Sequence, residues 1–215
     1  LALLGRARAA TSDALTAFEF IPVFHGERLV PGQYYFDPVF GDSIAVDLIK
    51  FYVSVGKPLT NQNAGDVTLM MMDKDVNELH FKTSTSFKRK NEVLNIGVDS
   101  LLNTCGALGG DLDPSAGMYW TWNTGYINVK IEGRSLKCSA HQHEFQFHLG
   151  GYSGKQKSFQ QIPISPSGSQ KVLIEIELGD FFAETDLSKK PQVMSPSSEG
   201  TRLASTFAST FHLIK

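Results

Sequence analysis

The chain has 215 residues, a formal charge of -2, and a composition that is 41% hydrophobic and 20% charged. It is long enough to bury a core without staples and too apolar for a disordered chain. The near-neutral balance leaves no electrostatic footprint for nucleic acid, and no apolar stretch is long enough to span a membrane.

The opening LALLGRARAA reads either as the tail of a signal peptide, with an A-x-A-like site at Ala7-Arg8-Ala9, or as a flexible leader or cloning scar. Residues 1–16 are therefore set apart from a single domain over 17–215. Ala17 to Phe24 reads as a first strand broken near Pro22, and Gly26 to Pro38 as a loop with short extended pieces. Ser43 to Val55 is rich in β-branched and aromatic residues and predicts a long strand. Val67 to Met72 is a short buried strand. Glu78 to Phe87 and Glu92 to Val98 read as a strand pair joined by the basic turn Lys88-Arg89-Lys90.

Asp99 to Gly117 is a long, polar, Gly-rich loop, of a length that is usually functional or well organised. Met118 to Glu132 reads as one strand with a bulge at Thr124-Gly125, and Glu144 to Leu149 as another. Gly150 to Lys157 is a loop. Val172, Ile174, Ile176 and Leu178 alternate as the buried face of a strand. Ser197 and Ser198 can cap a helix, in which Leu203, Phe207 and Phe211 form one apolar stripe. The predicted fold is all-β: a β-sandwich of antiparallel strands with long Gly-rich loops and one C-terminal helix.

Both tryptophans, Trp120 and Trp122, lie two residues apart and would share a strand face. As core aromatics they need no function; exposed to an oxidant or beside a metal they would have one. His141 and His143 share the same spacing, either as a solvated loop or as a ligand pair. His148 has the opposite parity from Phe145 and Phe147, so it points away from the core or into a pocket. Imidazole suits copper and zinc, and thioether suits Cu(I), which makes Met118 and Met194 possible soft neighbours. Asp99, Asp111 and Asp113 could offer oxygen ligands, but their spacing fits turn chemistry better than an EF-hand. Cys105 and Cys138 remain open as one disulfide or two separate thiols. The run Gly150 to Gln156 lacks the hydroxyl of a phosphate loop. No G-x-S-x-G, H-E-x-x-H or C-x-x-C is present, so the chain reads as a non-enzyme.

The runs Ile96-Gly97-Val98-Asp99-Ser100, Gly106-Ala107-Leu108-Gly109-Gly110-Asp111-Leu112-Asp113-Pro114, Gly117-Met118-Tyr119-Trp120-Thr121-Trp122 and Phe145-Gln146-Phe147-His148-Leu149-Gly150-Gly151-Tyr152 together resemble the MbnP-like family. Gly125-Tyr126, Phe51-Tyr52-Val53-Ser54 and Val193-Met194-Ser195-Pro196 fit the same pattern, and the wording is similar to its broad bacterial branch. The resemblance implies an exported protein, periplasmic or at the outer surface, that binds copper. In related methanotroph proteins histidines and an oxidised tryptophan, kynurenine, hold the metal, and a di-haem partner of the MauG type is implicated in the oxidation. It nominates Trp120 or Trp122 as the oxidised residue and His148 as a ligand. Family members often carry a histidine near position 21; this chain reads Phe18-Glu19-Phe20-Ile21-Pro22 there, and His25 follows as a candidate. The alternative is a non-metal β-sandwich that presents its Gly-rich loop and aromatic strand to a protein or glycan.

Overall fold

The computed structural model describes residues 16–57, 60–76, 78–83, 92–121, 125–165 and 171–214. In chain order the strands are β1 (Thr16–Phe24), β2 (Glu27–Arg28), β3 (Tyr34–Asp37), β4 (Asp42–Gly56), β5 (Thr68–Met72), β6 (Leu79–Thr83) and β7 (Glu92–Ile96). After helix α1 (Ser100–Thr104) come β8 (Tyr119–Trp120), β9 (Gly125–Ser135), β10 (Glu144–Gly150), β11 (Tyr152–Ser153), β12 (Gln156–Lys157), β13 (Gln160–Ile164) and β14 (Lys171–Glu177). Helix α2 (Leu178–Ala183), β15 (Gln192–Val193), helix α3 (Ser198–Ser209) and β16 (Phe211–Ile214) complete the described chain.

The fold is β-rich and built mainly from two mixed sheets. In the first, β1 pairs parallel with β14 along one side; on the other side it pairs with β6 up to Phe20 and with β2 from Val23. Pro22 falls between those two partners, so its missing N–H costs no ladder bond and the expected break does not occur. In the second sheet the 15-residue β4 is the spine. Its first half pairs with β9 and its last residues with β7, while β3 and β5 occupy its other side. The two sheets and both later helices feed one core, where Phe20 meets Phe51 edge-on at 5.5 Å and Phe51 meets Phe207 at 5.8 Å.

Several expectations need correction. The parallel pairs β1–β14 and β10–β15 make the sheets mixed rather than antiparallel. β6 and β7 are not a pair: β6 joins the first sheet and β7 the second. The single strand expected over Met118 to Glu132 instead folds back, with Tyr119 opposite Tyr126 and Trp120 opposite Gly125. The basic turn and the expected bulge residue Thr124 lie outside the described residues. Among the described residues three α-helices are present, not one, and β16 follows the last. Ser197 does cap α3, its hydroxyl accepting from the Gly200 N–H, but Phe211 reaches the core from β16.

Where β9 and β7 part along β4, Asn128 fills the fork. Its Oδ1 accepts from the Val98 N–H at 2.9 Å and its Nδ2 donates to Ser158 Oγ at 2.9 Å. Gly97 has φ +100°, and a Cβ there would lie 2.5 Å from Asn128 Cγ, so only glycine fits. Asp99 follows as the cap of α1, accepting from Leu102 N, while its other oxygen accepts from Gln62 N. Asp111 accepts from Leu69 N and Asp113 from Ser115 N. Asp113 thus does the turn work expected of it, whereas Asp99 caps a helix and Asp111 ties the Gly-rich loop to β5.

Candidate functional site

Strands β4, β9 and β10 lie side by side, with Lys50 opposite Lys130 and Lys130 opposite His148. Alternation along β10 sends Phe145, Phe147 and Leu149 into the core and leaves Gln146, His148 and Gly150 on the outer face. His148 is 8% exposed there. Its Nε2 lies 2.7 Å from Glu132 Oε1, and Lys130 Nζ lies 3.5 Å from the same oxygen. The hydrogen bond from His148 holds the Glu132 carboxyl below its ordinary pKa against the opposing effect of burial, with help from Lys130. Burial, then Lys130, pushes the Lys50 ammonium below its usual value. Lys50 Nζ donates to Ala116 O at 3.0 Å and Lys130 Nζ to Gly117 O at 3.5 Å, which ties the Gly-rich loop onto this face.

That loop and β8 close a second, smaller core over Tyr52, Val98, Met118, Trp120 and Tyr126. Tyr126 is its pin: its hydroxyl accepts from Leu108 N at 2.9 Å and donates to Leu112 O at 3.0 Å. Tyr52 packs edge-on to Tyr126 at 5.8 Å, and its buried hydroxyl has no hydrogen-bond partner among the described residues. Burial drives that phenol upward in pKa. Trp120 is buried, with its six-membered ring seated on Gly150: a Cβ on that glycine would lie 2.5 Å from Cζ3 and 2.8 Å from Cη2. Trp120 therefore covers the outer face of β10 two residues from His148.

The remaining candidates are placed elsewhere. Met118 is wholly buried in the second core. His25 occupies the β1–β2 turn with φ 50°, its ring over Gly179 and its backbone N–H donating to Glu177 Oε1 at 2.8 Å. Glu177 also accepts from Gly26 N and Gly179 N, so this corner reads as a clamp between the turn and α2. His141 and His143 lie in a 3₁₀ turn, with Gln142 and His143 at positive φ, so the extended spacing that would align them does not hold. His143 Nδ1 is occupied by Cys138 O at 2.8 Å. Met194 is exposed beyond β15. Trp122 lies outside the described residues. Cys105 is exposed, Cys138 is buried, and both are free. Among the described residues no three His, Cys, Asp or Glu side chains group to hold a metal ion.

Glu132, Lys130 and Lys50 were not legible as site residues. Their alternation marks a polar strand face, but which strand would lie opposite is a tertiary fact.

This combination defines a β-rich protein of two mixed sheets whose outer face is closed by a Gly-rich loop and a tryptophan. The MbnP family profile matches residues 13–195, so the chain belongs to the MbnP family. MbnP from Methylosinus trichosporium has a similar fold, with a TM-score of 0.57 at 12% identity over 81% of this chain and 79% of that one. No curated protein matches the chain. No helix among the described residues is long and apolar enough to cross a membrane.

Proposed function

We propose that this chain is an exported copper-handling protein of the periplasm or outer surface, with His148 as a ligand and Trp120 as the residue oxidised to kynurenine. The observation that carries the reading is the seating of Trp120 on Gly150, two residues from His148 on the same face. The fit of the group rests on His148. An imidazole oriented by a carboxylate is a common ligand arrangement, and Nδ1 of His148 has no hydrogen bond among the described residues. Indole supplies only an N–H donor. Cleavage of its C2–C3 bond takes up two oxygen atoms, and hydrolysis then releases formate and leaves an aryl amine. One imidazole and one amine make a low-coordinate set suited to Cu(I). The two oxygen atoms come from one dioxygen, or from two molecules of peroxide with release of two waters, activated by a di-haem partner of the MauG type, and this chain is that partner's substrate rather than a catalyst. The two sheets, sharing one core, are read as the layers of a β-sandwich.

The test is intact and peptide mass spectrometry with copper analysis, on protein made beside its haem partner. A net gain of one oxygen and loss of one carbon at Trp120, with bound copper lost in His148→Ala, supports the reading. An unmodified Trp120 and no copper would remove it.

A second reading has its own support. Phe36 is 63% exposed and Leu136 59%, beside Tyr34, whose ring carries the Arg134 guanidinium at 5.5 Å. Such a patch suits a module that docks a protein or glycan. Loss of partner capture in Tyr34→Ala/Phe36→Ala, with copper content unchanged, would favour it.

A further inference from the structure

We infer that Glu132 is a positioning residue that fixes the ring tautomer of His148, so that Nδ1 is the nitrogen presented outward as the donor. The donor role, though not the tautomer, rests on the copper reading above.

A carboxylate at neutral pH is acceptor-only. The 2.7 Å contact between Glu132 Oε1 and His148 Nε2 therefore requires the proton to sit on Nε2. In the neutral imidazole the lone pair then resides on Nδ1. Glu132 is itself held in place. It lies on β9 opposite Gln146, and Lys130 reaches the same oxygen from two residues away. His148 is 8% exposed and stands opposite Lys130 across β9–β10, so the ring has little room to swing away. Reversing the tautomer would set an Nε2 lone pair against an anionic oxygen in a nearly buried place, an unfavourable contact. Carboxylate partners of ligating histidines matter in this way, and losing them typically costs about 10- to 100-fold in metal affinity.

The test separates the two layers. Long-range proton–nitrogen correlation on ¹⁵N-histidine-labelled, metal-free protein, at about pH 8 and so above the ordinary imidazole range, reads the His148 tautomer directly. The wild type is expected to show protonated Nε2 and bare Nδ1, and Glu132→Ala a mixture of both forms. Cu(I) affinity, measured by competition on protein made beside the haem partner, should fall about 10- to 100-fold in Glu132→Ala. Glu132→Gln, whose carbonyl can still accept from Nε2–H, should recover part of both readouts. Thermal unfolding checks that the variants are folded. A wild-type His148 protonated on Nδ1, or a tautomer unchanged in Glu132→Ala, would overturn the inference whatever the copper result. A tautomer governed by Glu132 in protein that takes up no Cu(I) would remove the copper reading and leave Glu132's hold on the ring standing.

Discussion

Gly150→Ala is the sharpest perturbation of the site. The added methyl would lie 2.5 Å from Trp120 Cζ3, 2.8 Å from its Cη2 and 2.6 Å from Tyr126 O. The carbonyl belongs to the β9 backbone and cannot retreat without opening the sheet, so the indole has to lift. Overfilling a packed site costs about 1–3 kcal/mol, which in a chain of this size lowers the unfolding midpoint by about 2–12 °C. In a Trp122→Phe background Trp120 is the sole indole, and at 5% exposure its emission should be blue-shifted. The variant should shift that emission to the red as well as lower the midpoint. Adding Trp120→Leu should recover part of the loss, since only the carbonyl contact then remains. An unchanged midpoint with unchanged emission would refute the seating of Trp120 on β10.

Other expectations test the surroundings. Tyr126→Phe strands Leu108 N and should cost about 1–3 kcal/mol, with faster amide exchange confined to the Gly-rich loop. Tyr52→Phe removes a buried hydroxyl that has no partner, so denaturant unfolding should show unchanged or raised stability. A thiol reagent should label Cys105 in the native protein and Cys138 only after unfolding, and two equally protected thiols would contradict the free exposed Cys105. The Arg202 hydrogen bond holds the Glu199 carboxyl below its ordinary 4.5. Its stabilisation is therefore present above that pH and lost as pH falls through the depressed value. Because the pair is largely solvated, Glu199→Gln should cost no more than about 1 kcal/mol at pH 7, and the difference in midpoint should vanish in acid.

What the sequence made legible was local. The parity of Phe145, Phe147 and His148 placed His148 on the outer face because alternation needs no knowledge of partners. Ser197 announced α3 because capping is read within one turn. The errors came where distant segments decide. Whether Leu79 to Thr83 pairs with the next strand or with β1 depends on a partner some sixty residues back, and β1 takes it. Met118 to Glu132 read as one strand because nothing in its local pattern marks the return of the chain on itself, which sets Trp120 opposite Gly125. His141 and His143 lost their common direction because Gln142 and His143 take left-handed backbone angles, which composition did not signal. Glu132 escaped notice because an alternating polar residue earns a role only from the strand beside it.

The parallel pairing of β1 with β14 sets the schedule of folding. Ala17 must find Lys171, and β16 closes the sheet only after that. Until the last quarter of the chain arrives, Phe18 and Phe20 have no parallel neighbour and the edge of β1 stands open. Closing so long a loop costs entropy before any contact repays it, so acquisition of the native state should be slow, in the range of milliseconds to seconds or longer. The exposed intermediate would be an obvious client for a holding chaperone, and shortening the C-terminus before β14 should leave a chain that aggregates rather than a smaller folded protein.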